Sequence, residues 1–457
     1  MDEQERANQA AIARKRQAEL AARGVRVVSV TWVDNSGVTR VKAVPIDRLD
    51  HAAQWGIGAS PVFDSFLFND FVITGRHAPG AVGDLRLHPD LDRITVLAAQ
   101  PGWAWAPADR YDQEGVAHPL DQRTLARTAT AKLAEAGFTA RAAFEVEWAI
   151  SEPGEEFRPA VSGPAYGHAR LVARSDYLRD IVAALADQHV SVDQIHPEYA
   201  AGQFEISVAA GDPVFAADST VLVRETIRAV SAHHDLRVSF APKVLADGVG
   251  NGGHVHLSLW RNERNLFANG DGPCGLTREA AEFTGGILRR LPALLAVGAP
   301  SAGSCLRLVP SHWAGAFVAW GPENREAALR LVTGPAGSRS WAANLEVKCF
   351  DQSANPYLAM AGLIFAGLSG MDEQAELPDP VDVDPATLSE EERAKRGITA
   401  LPGSLTEAAD AFLADKRLCA GFGLPLATTI ADLRRAEAEH FADASPEEIA
   451  SAQRWVY

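Results

Sequence analysis

The fold class that the sequence predicts is α+β: a small β-rich N-terminal domain followed by a larger domain that mixes strands with helices. Three observations predict it. A β-hairpin pattern lies within the first 45 residues, and short Pro- and Gly-punctuated segments follow it to about residue 110. From His118 onward, helical periods alternate with strand patterns that carry charged side chains on one face. The chain has 457 residues, 47% of them hydrophobic and 22% charged, so it can bury a sizeable core.

Residues 1–23 are rich in Ala, Glu and Arg and stop at Gly24, which predicts a helix closed by a C-terminal glycine. Val25 to Val33 alternates as a strand, Asp34-Asn35-Ser36-Gly37 turns, and Val38 to Val44 returns. Ile94 to Ala98 and Trp103 to Ala106 are further expected strands. Pro119 to Ala136 reads as a helix, and Thr139 to Ile150 as a strand containing Phe144-Glu145-Val146-Glu147-Trp148. Strand side chains alternate, so Glu145 and Glu147 share one face and the large apolar groups the other.

Asp176 to His189 and Val214 to Asp235 read as helices. Between them Glu198 and Glu205 differ by an odd number of positions, so a bend near Gly202 is needed to bring them together. The stretch Gly250-Asn251-Gly252-Gly253-His254-Val255-His256-Leu257-Ser258-Leu259-Trp260 is a glycine-rich turn that enters a strand. Its histidines should project together, with Val255 and Leu257 facing a core, and its glycines should tolerate positive φ and a close ligand. Arg278 to Gly298 reads as an amphipathic helix, 304–315 as a loop, Phe317 to Trp320 as a short strand and Asn344 to Lys348 as another. Asn355 to Met371 reads as a buried helix, 372–404 as an acidic surface excursion, and helices run to the end.

The bulk composition excludes several classes. A net charge of −16 argues against nucleic acid and anionic membrane as partners. Cys274, Cys305, Cys349 and Cys419 are widely spaced, which fits reduced thiols and neither a zinc site nor a disulfide frame. With no apolar signal region and no run of about 18 apolar residues, a cytoplasmic location is expected.

The candidate site residues are Glu145, Glu147, Glu198, Glu205, His254 and Glu346. Five carboxylates converging on one place repel one another unless cations neutralise them, and an oxygen-rich set with one imidazole suits Mg²⁺ or Mn²⁺ better than Zn²⁺. Arg307, Arg325 and Arg330 add forked donors for phosphate or carboxylate groups.

With F-E-V-E-W, E-x(3)-G-Q-x-E, N-G-G-H-x-H-x-S-L-W, R-L-V-P, the N-R/R pair, L-E-V-K and N-P-Y-L in order, the chain resembles the glutamine synthetase family from about residue 20 to the C-terminus. The resemblance implies a β-grasp domain over residues 1–112 and a catalytic domain over 113–457, with a curved antiparallel sheet forming a bifunnel surrounded by helices. It implies Glu147, Glu198 and Glu205 on one metal, and Glu145, His254 and Glu346 on a second. It places Asn251, Gly252, Arg307 and Lys348 at the acyl substrate, His256, Ser258 and Arg330 at the nucleotide, and Arg325, Arg330 and Arg307 at the reacting groups. ATP as co-substrate, two to three Mg²⁺ or Mn²⁺ ions, glutamate with an amine, and a homododecamer of two hexameric rings with sites between subunits are further implications. So is a two-step reaction in which ATP phosphorylates a side-chain carboxylate and an amine displaces the phosphate.

Three departures bear on the substrate. Where glutamine synthetases carry P-G-Y-E-A-P this chain has Pro310-Ser311-His312-Trp313-Ala314-Gly315, so Trp313 replaces the glutamate that closes the ammonium site. The aspartate of that site has no clear counterpart, Asp64 being the nearest substitute. Lys348 stands where arginine is usual and lacks its planar fork. An indole favours an alkyl ammonium, a contact worth about 0.5 to 2 kcal/mol, so the expected acceptor is an organic primary amine of the polyamine or ethanolamine type. The rivals are an ammonia-using synthetase, an inert family member with a sensory or structural role, and a metal hydrolase on a β-barrel. The first conflicts with Trp313, the second with the filled ligand positions and the third with the paired arginines. With no tyrosine between Tyr357 and Tyr457, adenylylation of a tyrosine there should be absent.

Overall fold

The computed structural model describes residues 3–457. The expected first helix runs from Glu3 to Ala22, and residues 1 and 2 lie outside the described residues. Strands β1 (Val27–Val33), β2 (Thr39–Pro45), β3 (Ile57–Ala59), β4 (Leu85–Pro89), β5 (Thr95–Val96) and β6 (Trp103–Tyr111) form one sheet in the order β2-β1-β6-β4-β3, with β5 added to β6. The predicted hairpin is β1 and β2, antiparallel from Val27↔Pro45 to Val33↔Thr39. β1 also runs parallel to β6, and this central parallel pair buries Val28, Val30, Ala104 and Ala106. Helix Leu49–Trp55 and strands β3 and β4 were not expected; each is short, and their partners are distant in sequence.

The second sheet contains β7 (Thr139–Ser151), β8 (Val192–Pro197), β9 (Gln203–Val208), β10 (Arg237–Ser239), β11 (Val255–Arg261), β12 (Arg264–Asn265), β13 (Trp320–Pro322), β14 (Leu329–Val332) and β15 (Asn344–Val347). Its order is β13-β14-β15-β11-β7-β9-β8, with β10 on β7 and β12 on β11. All its pairs are antiparallel except β13 with β14, so the expected antiparallel sheet carries one parallel edge. The predicted bend is present: Gly202 has φ +77° between β8 and β9, and a side chain there would strike the Ile150 carbonyl. Because of that bend, Glu205 pairs directly with Glu147 across β9 and β7, and Glu198 follows the end of β8.

Apolar faces of the strands drive the packing. Val255, Leu257 and Leu259 point away from the histidines into a core shared with helices Arg278–Gly298 and Pro356–Asp372. Val146, Trp148, Phe204 and Ile206 pack against helices Ser175–Asp187 and Pro213–His233. The first sheet is joined to this body by buried polar contacts. Asn355 Nδ2 donates to the carbonyls of Val33 (2.9 Å) and Asp34 (3.0 Å), and Tyr457 Oη donates to Ser36 O at 3.0 Å.

Two more expectations change. The short strand begins at Trp320, while Phe317 makes only an isolated bridge to Ala400. The 372–404 stretch is not wholly on the surface, because Val381 and Ile398 bury against Phe317. Among the described residues no helix is long and apolar enough to cross a membrane.

Candidate active site

Strands β7, β9, β11, β14 and β15 present their polar faces to one cavity of about 910 Å³. Glu145, Glu147, Glu198, Glu205, His254, His256, Arg307, Trp313, Arg325, Arg330, Glu346 and Lys348 all line it. The register explains the convergence: His256 pairs with Ala143 of β7 on one side and with Glu346 of β15 on the other, and Arg330 pairs with Glu346.

The glycines of the 250–253 turn are there for a different reason than expected. None has a positive φ. A Cβ on Gly252 would sit 2.5 Å from His254 Nε2 and 2.8 Å from Glu147 Oε1, and one on Gly250 would sit 2.4 Å from the Pro242 carbonyl. Absence of a side chain, and not backbone freedom, is what these positions need. It lets Gly252 N donate to Glu147 Oε2 at 2.8 Å.

Both histidines approach the same carboxylate. His254 Nδ1 lies 2.9 Å from Glu145 Oε2 and 3.3 Å from Glu346 Oε1, and His256 Nε2 lies 3.1 Å from Glu145 Oε1. Burial opposes ionisation of Glu145, yet the His256 charge and hydrogen bonds from both histidines hold its carboxyl well below the usual range. Burial likewise works against a charged His256, but the Glu145 charge raises it to about 9, while burial and the Lys348 charge lower His254 to about 4. Glu346 is held at about 2 against its burial, mainly by Lys348 and the two histidines.

In the other half of the site the compensation is weaker than the burial and mutual repulsion. Burial, then the charges of Glu205 and Glu198, push Glu147 up to about 8, and burial is also the main cause that raises Glu205 to about 7. His196 rises to about 8 through its hydrogen bond with Glu205. Buried carboxylates crowded in this way fit a divalent cation, which removes their mutual repulsion. Ligand atoms gather in two groups within 4.8 Å: Glu145, His256 and Glu346, and His196, Glu198 and Glu205. The grouping differs from the expected one: His256 takes the place of His254 beside Glu145 and Glu346, and His196 the place of Glu147 beside Glu198 and Glu205. Strand alternation already placed His256 on the face of His254, and His196 precedes Glu198 by two.

Arg307 ends the short helix Ala302–Arg307, so the first part of the expected 304–315 loop is helical. Its Nη2 donates to Lys348 O at 3.1 Å and lies 3.3 Å from His254 Nε2, whereas its buried Nη1 has no protein partner. Arg330 bridges Glu346 (3.0 Å) and Glu323 (2.9 Å), and Lys348 Nζ donates to Glu346 Oε1 at 3.2 Å. Arg325 is exposed at the cavity rim.

Three expected residues sit elsewhere. Asn251 is buried behind the lining, where its Nδ2 donates to Ala241 O and its Oδ1 accepts from Gln203 Nε2 at 3.0 Å. Ser258, further along β11, is buried and accepts from Trp260 Nε1 at 2.8 Å. Asp64 is fully buried in the first sheet's unit, with Arg110 Nη1 at 2.8 Å and His118 Nε2 at 2.9 Å. A carboxylate enclosed in this way does not serve as base for an incoming amine.

Trp313 is half-exposed at the mouth, opposite Tyr199. Tyr166, also exposed there, donates from its Oη to Glu198 Oε1 at 2.7 Å. Tyr166, Tyr199, His196 and Gln203 were not among the expected site residues. The last donates to Glu147 Oε2 at 3.1 Å and to Gly250 O at 2.9 Å. His196 carried a detectable signal in its same-face spacing to Glu198; the tyrosines carried none.

Residues 119–451 match the family described as glutamine synthetase, catalytic domain. The chain is 55% identical over 443 residues to the gamma-glutamylpolyamine synthetase GlnA3 of Streptomyces coelicolor, covering 96% of this chain and 95% of that one. It is 30% identical to a glutamine synthetase of Halobacterium salinarum, with 93% of each covered. Among solved structures, a novel glutamine synthase homolog superposes with TM-score 0.84 at 31% identity, over 95% of this chain and 99% of that one. A GmaS/ADP complex superposes with TM-score 0.81 at 28% identity, over 96% and 97%. The chain therefore belongs to the glutamine synthetase family, and it is an ATP-dependent ligase that joins a carboxylate to nitrogen.

Proposed function

We propose that this ligase forms γ-glutamyl amides of polyamines, with glutamate as acyl donor and a primary amine in place of ammonium. One observation carries the choice of acceptor: the family's ammonium-site glutamate is replaced by Trp313, whose indole stands beside Tyr199 at the cavity mouth. Aromatic faces attract an alkylammonium and enclose its methylenes. The 55% identity to a protein named as a gamma-glutamylpolyamine synthetase supports the same reading.

In this reading Glu145, Glu147, Glu198, Glu205, His254 and Glu346 hold two to three Mg²⁺ or Mn²⁺ ions, with His256 and His196 beside them. Bound ions supply charge neutralisation at the nucleotide phosphates. The buried Nη1 of Arg307, free of any protein partner, is the donor this reading gives to the carboxylate of glutamate. The side-chain carboxylate of glutamate attacks the terminal phosphorus of ATP, ADP leaves, and Arg330 and Arg325 stabilise the charge on the transferring group. Once its ammonium proton has passed to solvent, the amine nitrogen attacks the acyl carbon; phosphate departs with the bonding pair and takes up the second proton that the nitrogen gives up. Lys348 donates to Glu346 Oε1 and lines the cavity beside it.

The same reading divides the chain into residues 1–112 and 113–457, places it in the cytoplasm and assembles it as a dodecamer. Light scattering on the purified protein tests the assembly. A phosphate-release screen of amines against glutamate and other carboxylates tests the activity. Polyamines are expected to give the fastest release; faster turnover with ammonium than with any organic amine would overturn the assignment.

A further inference from the structure

The segment that carries Trp313 has an unusual backbone. Ser311 has φ +58° and Trp313 φ +55°, in the left-handed region that bulky L-residues rarely adopt. Such conformations persist where the surroundings over-determine them. Two carboxylates from elsewhere in the chain do so here. Glu326 Oε1 accepts from the Trp313 backbone N–H at 3.1 Å, and Asp384 Oδ2 accepts from Ser311 Oγ at 2.7 Å.

Glu326 is itself well anchored. Its backbone N–H donates to Asn324 Oδ1 at 3.0 Å, and Asn324 Nδ2 donates to the carbonyls of Val381 (2.8 Å) and Val383 (3.0 Å). The brace therefore links the segment before β14, the 372–404 excursion and the Trp313 loop. Glu326 does not line the cavity, although its neighbour Arg325 does.

We propose that Glu326 is a positioning residue for the amine substrate: through the Trp313 backbone N–H it holds the indole opposite Tyr199, and so sets amine affinity without touching glutamate or nucleotide. This rests on the polyamine-ligase reading above. Only an acceptor atom at this position is required, so an amide should replace the carboxylate.

The test compares Glu326→Ala and Glu326→Gln with the unaltered enzyme, using putrescine as amine and measuring KM for putrescine, glutamate and ATP separately. Displacement of the indole cannot cost more than its removal, so a rise of about 5- to 30-fold in the putrescine KM of E326A is predicted. The KM values for glutamate and ATP, and kcat at saturating putrescine, should stay within about twofold, and E326Q should return the putrescine KM to within about threefold of the original. An unchanged putrescine KM in E326A, or an equal rise in all three KM values, overturns the proposal. So does an E326Q as impaired as E326A, which would assign the effect to the charge of the carboxylate. If E326A does not fold, Glu326→Asp, too short to reach Trp313 N, is read by the same criteria. An unaltered enzyme that uses ammonium and no organic amine sinks the functional reading itself, an outcome visible before any variant is measured.

Discussion

The indole of Trp313 lies 5.1 Å from the ring of Tyr199, centroid to centroid, with the two planes tilted by 52°. The two residues are more than a hundred positions apart and come from the turn after β8 and the loop after helix Ala302–Arg307. Both are about half-exposed, at 47% and 46%, so their faces are available to a ligand.

Removing either ring should weaken the amine and spare the acyl donor. Trp313→Ala and Tyr199→Ala are each expected to raise the KM for a polyamine by about 2- to 30-fold, the equivalent of a cation–π contact of about 0.5 to 2 kcal/mol. The glutamate KM should hold. Trp313→Glu, which restores the family's residue, should lower amine turnover relative to ammonium. Steady-state phosphate release reads all three.

Arg307 should report on the carboxylate of the acyl donor. Its Nη1 is buried and without a protein partner, and a lysine cannot supply two parallel donors. A charge-assisted hydrogen bond is worth about 1.5 to 3 kcal/mol, so Arg307→Lys should raise the glutamate KM by about 10- to 150-fold. An effect on the amine KM alone would contradict this placement.

Metal binding should release protons. Near neutrality in the metal-free site Glu147, raised to about 8, is largely protonated and Glu205, raised to about 7, about half protonated, and a cation must displace those protons. Affinity for Mn²⁺ should therefore climb as pH rises through 7 to 8, and calorimetry in buffers of different ionisation enthalpy should detect the released protons. The sign for stability follows from the same shift. A carboxyl that binds its proton more tightly when folded makes the chelated protein lose stability as pH rises from 4.5 through about 8. Added metal should reverse that loss, and Glu147→Gln should flatten the dependence.

Asp64 should prove structural. Against its burial, the charge of Arg110 and its contact with His118 hold its carboxyl below the ordinary value of 3.8. Its stabilising contribution is thus complete above that value and is lost as pH falls through the lowered one. Asp64→Ala takes one of two buried carboxylates from Arg110, whose Nε still donates to Asp121 Oδ1 at 2.9 Å, so a loss of up to about 3 kcal/mol, less than for a wholly unpaired charge, is expected in denaturant unfolding. The kcat of the folded fraction should not change; a selective loss of amine turnover would restore Asp64 as a base.

Much of this was legible in the sequence because strand and helix periods are local. The same-face pairs Glu145/Glu147 and His254/His256, the bend at Gly202 and the helix Arg278–Gly298 all follow from side-chain spacing within a few residues. The short strands β3 and β4 escaped because strands so brief carry little pattern of their own. The glycines at 250–253 were legible as special, but only the neighbouring Glu147, His254 and Pro242 carbonyl explain why no side chain is tolerated.

By itself the sequence determined the family, the acidic and histidine inventory of the site, and the substitution of Trp313 for a glutamate. Those are properties of residue identity and order. Only the tertiary structure decided that both histidines meet Glu145, that His196 joins Glu198 and Glu205, that Asp64 is sealed against Arg110, and that Glu326 braces Trp313. Each of these depends on a contact between segments far apart in the chain, whose register is set by the packing of apolar faces that says nothing, residue by residue, about which polar atoms will meet on the other side.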